Sequence, residues 1–328
     1  MSKNKFLITD EGHNKRLDIF LVEKLEISRS QAQKLIAENL VLVNDKAPMK
    51  AGVQLKKGHT VVVASQSLPN LSTAVERKRS PRLHRGEGEG EVSLTPKIIS
   101  KTPDYLVIEK PTGMLTHPTM AGEAVSVATW AAKKYPGLKR VGDDPKVRPG
   151  IVHRLDKEAS GLLVVARTQK MFDHLKEQFK NRTIEKEYLA LVHDRVAKDW
   201  DILNFPIARS ETSDRMAARP LNEGTTEGQK EAKTEFLVEK RFVNFTLLRI
   251  TLHTGRMHQI RVHLLAYNHP LVGDPLYIQK KRKRAWDDKL GRLFLHSTKL
   301  SFTDLKGFKQ TFESPLPPEL QSFLTKLS

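Results

Sequence analysis

The sequence predicts an α+β protein: a small α/β unit at the start, then a larger part built on a mixed, largely antiparallel sheet. Three observations predict it. Short apolar runs of strand character recur from about residue 96 onward, joined by segments often too short for parallel crossovers. Only a few stretches there space their apolar residues as helices do. The first 64 residues carry a helix, helix, hairpin pattern of their own, set apart by a stretch poor in apolar side chains.

In the first unit, Leu17, Phe20, Leu21 and Leu25 recur at helical spacing. Ser28 and Gln31 form a capping box that opens a second helix, with Ala32, Leu35 and Ile36 on one face. Leu40 to Val43 reads as a strand, Asn44-Asp45 as a turn, and Thr60 to Ala64 as a strand after Lys57-Gly58. Domain boundaries follow at 1–64 and 96–328. Residues 65–95 between them, rich in Ser, Pro, Gly, Arg and Glu, bury too little surface to offset their ordering entropy and read as a flexible tether. In the larger part, strands are expected at Tyr105 to Glu109, Ile151-Val152, Leu162 to Ala166 and Tyr188 to Val192. A hairpin follows with arms at 234–241 and 244–253, and helices fit 125–134, 170–181 and 257–267. No internal repeat is present.

The 328 residues carry 56 Lys and Arg against 38 Asp and Glu, a formal charge of +18. Such a surplus attracts polyanions, of which nucleic acid is the commonest. No apolar run approaches the roughly 20 residues that span a bilayer, and the start MSKNKFLITDEG has no signal-peptide pattern. With no cysteine there are no disulfides or thiol nucleophiles. A cytoplasmic protein is expected.

Three segments concentrate chemistry. In GIVHRLDKEASGLLVVART (150–168), apolar runs bracket a polar insert, so His153 to Ser160 form a loop held by rigid strands. Asp156 in that loop is a candidate acid, although an aspartate beside an arginine is by itself an ordinary structural ion pair. In LHTGRMHQIRVHLLAYNHPLVGDPLY (252–277), Met257, Ile260, Leu264 and Leu265 make an apolar helical stripe, and Arg261 projects along it. A buried guanidinium stays charged and needs a carboxylate or anionic ligand. Asp156 is one candidate partner, and a snorkel to solvent is the alternative. His253, His258, His263 and His269 are spaced five or six apart, which does not align imidazoles on one helical face, so no metal site is expected. In RTIEKEYLALV (182–192), alternation suggests a half-buried strand. Its Tyr188 suits either core packing or stacking on a nucleobase.

Residues 14–64 resemble the small RNA-binding module named after ribosomal small-subunit protein S-four. That resemblance implies that Arg29, Gln33 and Lys34 lie near RNA phosphates. Asn39 departs from the usual glycine after the helix but tolerates the same left-handed cap. The order of the three chemical segments, supported by DYLVIEKPTGMLTHP and QKEAKTEF, resembles the large-subunit-type (RluA-type) pseudouridine synthases over residues 96–328. This implies that Asp156 is the catalytic aspartate, that Tyr188 packs against the target base, and that Arg261 pairs with Asp156. Arg154 would enter the RNA and hold the target nucleotide out of its stack, and His153 beside it is expected to face RNA too. Ala159 stands where the family usually has threonine, leaving Ser160 as the nearby hydroxyl, and Ile278 follows Tyr277 where glycine is common.

The reaction so implied turns uridine into pseudouridine without redox change or imported group, so no cofactor is expected. The carboxylate attacks covalently or removes a ribose proton; both routes stay open. Structured ribosomal RNA of the large subunit is the expected substrate, with transfer RNA an alternative, and the chain is expected to act as a monomer. A non-enzymatic ribosome factor would explain the charge but not the loop. A methyltransferase would need a glycine-rich strand-to-helix turn, which is missing. A glycosidase would need a second acid, which the matching motifs do not supply.

Overall fold

The computed structural model describes residues 3–25, 27, 32–33, 35–36, 40–48, 52–64, 94–118, 125–210, 215–219, 228–277 and 285–327. The chain forms two compact units, Met1–Gly86 and Glu87–Ser328. Apart from residues 94 and 95, the tether expected at 65–95 lies outside the described residues. So do the Ser28 and Gln31 cap, Asn39, and Arg29 and Lys34.

In the first unit, β1 (Lys3–Leu7), β2 (Val41–Val43) and β3 (Thr60–Ala64) form a sheet of order β1-β3-β2, antiparallel throughout. Helix α1 (Leu17–Leu25) buries Leu17, Phe20 and Leu21, three of the four residues its spacing marked, and leaves Leu25 partly buried. Ala32, Leu35 and Ile36 are buried with them, alongside Val61 and Val63. Asp18 is fully buried and takes two bonds from Arg16 at 3.0 and 2.9 Å. Gln33, expected to face RNA, donates to the same carboxylate at 3.4 Å, so one of its donors is turned inside the unit.

The second unit is organised by a nine-stranded sheet. Its strands are β4 (Lys97–Lys101), β5 (Tyr105–Lys110), β6 (Ser160–Ala166), β7 (Glu185–His193), β8 (Trp200–Leu203), β11 (Thr234–Arg241), β12 (Phe245–Leu252), β13 (Leu295–Thr303) and β14 (Lys309–Glu313). Strands β9 (Ile207–Arg209) and β10 (Met216–Ala218) form a separate hairpin. The order is β4-β5-β6-β13-β7-β12-β11-β8, with β14 on β13. Every pairing is antiparallel except β6 with β13. Every residue of β6 is buried, which its unbroken apolar run SGLLVVA allows and an alternating strand would not.

Helices α2 (Val127–Lys134), α3 (Gln169–Lys180), α4 (Gln259–Ala266), α5 (Ala285–Leu290) and α6 (Pro318–Thr325) complete this unit. Thr168 caps α3 through the Met171 amide, and Met171, Phe172 and Leu175 turn inward. Strands β4, β8, β9, β10, β13 and β14, with helices α5 and α6, lie beyond those the sequence marked.

Two expectations need correction. Helix α4 starts at Gln259 rather than 257 because His258 sits at φ 55°, a left-handed conformation no helix accommodates. The strand expected at Ile151-Val152 shrinks to one bridge, Ile151 to Val165. The next β6 amide, Val164, donates instead to the His153 ring at 3.0 Å, so the backbone partner a longer strand needs is taken by a side chain. Where β6 meets β13, Gly161 has φ 114° and a Cβ there would lie 2.3 Å from the Ser297 carbonyl oxygen. Only glycine permits that approach.

Candidate active site

The loop from His153 to Ala159 is held on its inner side by the segment after β5. Thr116 Oγ1 donates to the Leu155 carbonyl at 2.9 Å and accepts from its amide at 3.1 Å. Thr112 Oγ1 donates to the Glu158 carbonyl at 2.6 Å, and the Gly113 amide to the Lys157 carbonyl at 2.8 Å. Beneath them Lys110, fully buried, donates to the carbonyls of Pro111, Met114 and Lys157 at 3.0, 2.8 and 3.2 Å. Burial pushes this lysine down to about 7, while the charges of Asp156 and Glu158 pull it back up. Its three acceptors match the three protons of an ammonium. Lys110→Met is therefore expected to lower stability, since the Pro111 and Met114 carbonyls lose their donor at about 1–3 kcal/mol each, while the Lys157 carbonyl keeps the Gly113 amide. Urea unfolding with an unchanged midpoint would show that those carbonyls find other partners.

Asp156 emerges from this loop into a cleft of about 600 Å³ that His153, Arg154, Tyr188 and His258 also line. Such a volume suits one nucleotide-sized group. Arg261 approaches from α4. Its guanidinium is 1% exposed and grips Asp274 with two parallel bonds, both 2.8 Å. The remaining nitrogen, Nη1, reaches Asp156 Oδ2 at 3.4 Å and Glu158 Oε2 at 3.2 Å. Burial works against the charge of Arg261, but the Asp274 carboxylate, with Asp156 and Glu158 behind it, holds its pKa above the ordinary value.

The resemblance implied Asp156 as the partner of Arg261. The two groups do meet, but the tight, bidentate partner is Asp274. Asp274 stands in GDPLY at the end of the 252–277 segment, where no spacing pattern links it to Arg261. Gly273 before it stands at φ 72°, where a Cβ would lie 1.9 Å from the Arg292 carbonyl oxygen. Asp274 Oδ1 also accepts from the Leu276 and Tyr277 amides, at 2.8 and 2.9 Å, so its position is fixed from both sides.

This division of labour leaves Asp156 lightly held. Its side chain is 13% exposed, Oδ2 has the loose contact with Arg261, and the His258 ring nitrogen Nε2 stands 4.0 Å from Oδ1. Burial lowers the His258 pKa, with Asp156 opposing that shift. The other ring nitrogen of His258 is bonded to the Tyr277 hydroxyl at 2.8 Å, and that hydroxyl accepts from the Met216 amide of the β9–β10 hairpin at 3.0 Å.

Tyr188 extends from β7 into the cleft wall. Burial, then the negative charge of Asp156, push its phenol well above the ordinary range, so it stays neutral while sharing a hydrogen bond with Ser297. Arg154 is exposed at the cleft and makes no hydrogen bond or ion pair among the described residues. His153 differs from expectation in character: its Nε2 is bonded to Val164, its ring stacks on Phe179 at 4.8 Å, and burial pulls it down to about 3. It offers a neutral ring face rather than a cation. Ser160 turns away into the core, where its hydroxyl meets His296 Nδ1 at 2.9 Å and accepts from Arg292 at 2.7 Å. Ile278 lies outside the described residues. Among those residues, no three His, Asp or Glu side chains gather as a metal-ligand set, and no helix is long and apolar enough to cross a membrane.

Comparison with known proteins bears on both units. Residues 104–266 match the family model for RNA pseudouridylate synthase, and residues 15–61 match that for the S4 domain. A protein of Aquifex aeolicus named as an uncharacterized RNA pseudouridine synthase is 36% identical over 273 residues, covering 81% of this chain and 78% of its own. The ribosomal large subunit pseudouridine synthase D of Nitrosomonas europaea is 34% identical over 316 residues, covering 94% and 83%. Among solved structures, human RNA pseudouridylate synthase domain containing 4 superposes with a TM-score of 0.58 at 23% identity, over 70% of this chain and 92% of that one. That last likeness concerns the fold.

Proposed function

The chain belongs to the RNA pseudouridylate synthase family and carries an S4 domain, and from that premise we propose that Asp156 isomerises uridines of large-subunit ribosomal RNA. The observation that carries the proposal is the unequal treatment of two carboxylates by one arginine. Asp274 takes the buried fork, and Asp156 is left at the cleft with one oxygen lightly held and the other open.

The reaction breaks the bond between ribose C1′ and uracil N1 and rejoins the base through C5, whose proton leaves as N1 gains one. Nothing is oxidised and no group is added. Oδ1 of Asp156 is the atom available to attack C1′ or to take a ribose proton. The Arg261 guanidinium, 3.4 Å from Oδ2, orients the Asp156 side chain for that step. The neutral Tyr188 ring, in the cleft wall, is the flat surface on which a uracil rests while it turns. Arg154, exposed and unpaired among the described residues, takes the space vacated by the extruded nucleotide. Extrusion costs a few kcal/mol in a duplex and less in a loop. The formal charge of +18 offsets that cost through phosphate contact.

The choice of ribosomal over transfer RNA rests on the S4 unit and on the printed name of the Nitrosomonas relative. It is tested by incubating the full chain with large-subunit ribosomal RNA, small-subunit ribosomal RNA and transfer RNA in separate reactions. Carbodiimide labelling then maps pseudouridine in each. New sites confined to the large-subunit RNA are expected; sites only in transfer RNA would overturn that choice.

A further inference from the structure

One cation of the cleft has no task in the chemistry above. Lys186 lies on β7 two residues before Tyr188, so the two side chains leave the same face of the strand and both line the cleft. Its ammonium stands over the Phe179 ring, 5.5 Å from the centroid. That ring is the one on which neutral His153 stacks. Burial draws Lys186 down to about 8. No carboxylate among the described residues comes within ion-pair distance of it. Two other cations that line the cleft are answered: Arg182 by Glu231 at 2.9 Å, and Lys180 by Glu177 at 3.5 Å.

The backbone beside the ammonium is Gly255, in the turn before α4. A Cβ built there would meet one atom within 4 Å, Lys186 Nζ at 3.6 Å, which is ordinary contact. The residue is not among the positive-φ glycines. Neither the turn nor the packing therefore demands glycine here. What the missing side chain does is leave the ammonium open to the cleft.

We propose that Lys186, uncovered by Gly255, is a subsite for a backbone phosphate of the RNA adjoining the nucleotide that meets Tyr188. A partly desolvated ammonium gains most from an anion that reaches it in the same enclosed space, and a phosphate oxygen is the anion every RNA brings. The cation–π contact with Phe179 fixes the side chain in advance but leaves its charge unneutralised. The location of this subsite rests on the synthase reading; its chemistry rests on Lys186 itself.

The test compares uridine with uridine 3′,5′-bisphosphate as probes, titrated into the full chain and followed by NMR, for the wild type and for Lys186→Met, Lys186→Arg and Gly255→Val. The wild type is expected to prefer the bisphosphate by about tenfold or more, the size of a charge-assisted hydrogen bond. Lys186→Met should erase most of that preference without altering uridine binding, and Lys186→Arg should keep most of it. Gly255→Val should reduce it with the charge still in place, which reads the subsite even where Lys186→Met disturbs folding. Equal weakening of both probes in Lys186→Met would make the residue a packing lysine and overturn the proposal. So would a bisphosphate preference that survives both Lys186→Met and Gly255→Val. Because the readout is binding, it separates from catalysis. A Lys186-dependent preference in a chain that makes no pseudouridine sinks the catalytic reading alone; turnover with an unchanged preference in Lys186→Met sinks the subsite alone.

Discussion

Asp156→Asn is expected to lose pseudouridine formation by at least about 10³-fold, the scale of removing a nucleophile or general base, while keeping its fold and its RNA affinity. The amide is isosteric with the carboxylate but neither attacks C1′ nor takes a proton at neutral pH. The fold should tolerate the change because Arg261 relies on Asp156 only through a 3.4 Å contact and keeps both 2.8 Å bonds to Asp274. The loop should hold too, since its grip on Thr112, Gly113 and Thr116 passes through main-chain atoms of residues 155, 157 and 158. Turnover is read by labelling large-subunit ribosomal RNA, affinity by filter binding, and fold by thermal unfolding. Activity within tenfold of wild type would remove Asp156 from the reaction.

Arg261→Met is expected to destabilise the second unit by about 3–5 kcal/mol, because it leaves Asp274 buried without its countercharge. The double change Arg261→Met with Asp274→Leu should be less unstable than Arg261→Met alone, since it removes the stranded charge along with its partner. Urea unfolding of the wild type, the two single variants and the double variant gives the coupling directly. If the double variant instead loses as much as the two singles added together, the pair is not the unit described here. Pseudouridine formation by the double variant then asks a separate question. Restored stability without activity would show that the Arg261 charge acts on Asp156 beyond holding the fold.

The loop and helix that frame the cleft were legible because their signals are local. A polar insert between apolar runs marks residues 153–160, and an apolar stripe with one arginine marks α4. The strand at 105–110, the buried strand at 160–166 and the hairpin of β11 and β12 followed from composition and alternation in the same way. Strand β13 escaped because its sequence LHSTKLSFT mixes polar and apolar residues. It is buried by what lies on either side of it rather than by its own pattern. Lys110 escaped because a lysine at a strand end reads as solvated, and only the three converging carbonyls make it an interior group.

By itself the sequence determined the residue types at the site and the α+β class, and it placed on an apolar stripe an arginine that demands an anion if it is buried, since spacing and composition act over a few neighbours. Tertiary structure alone decided which anion answers that demand. Asp274 lies 13 residues from Arg261 and Asp156 lies 105 away. The choice between them depends on how closely the turn at Gly273 approaches the chain at Arg292, and on how β6 and β13 set the depth of the loop. A buried charge selects its partner by distance and desolvation once the sheet has closed, and no local pattern carries that information.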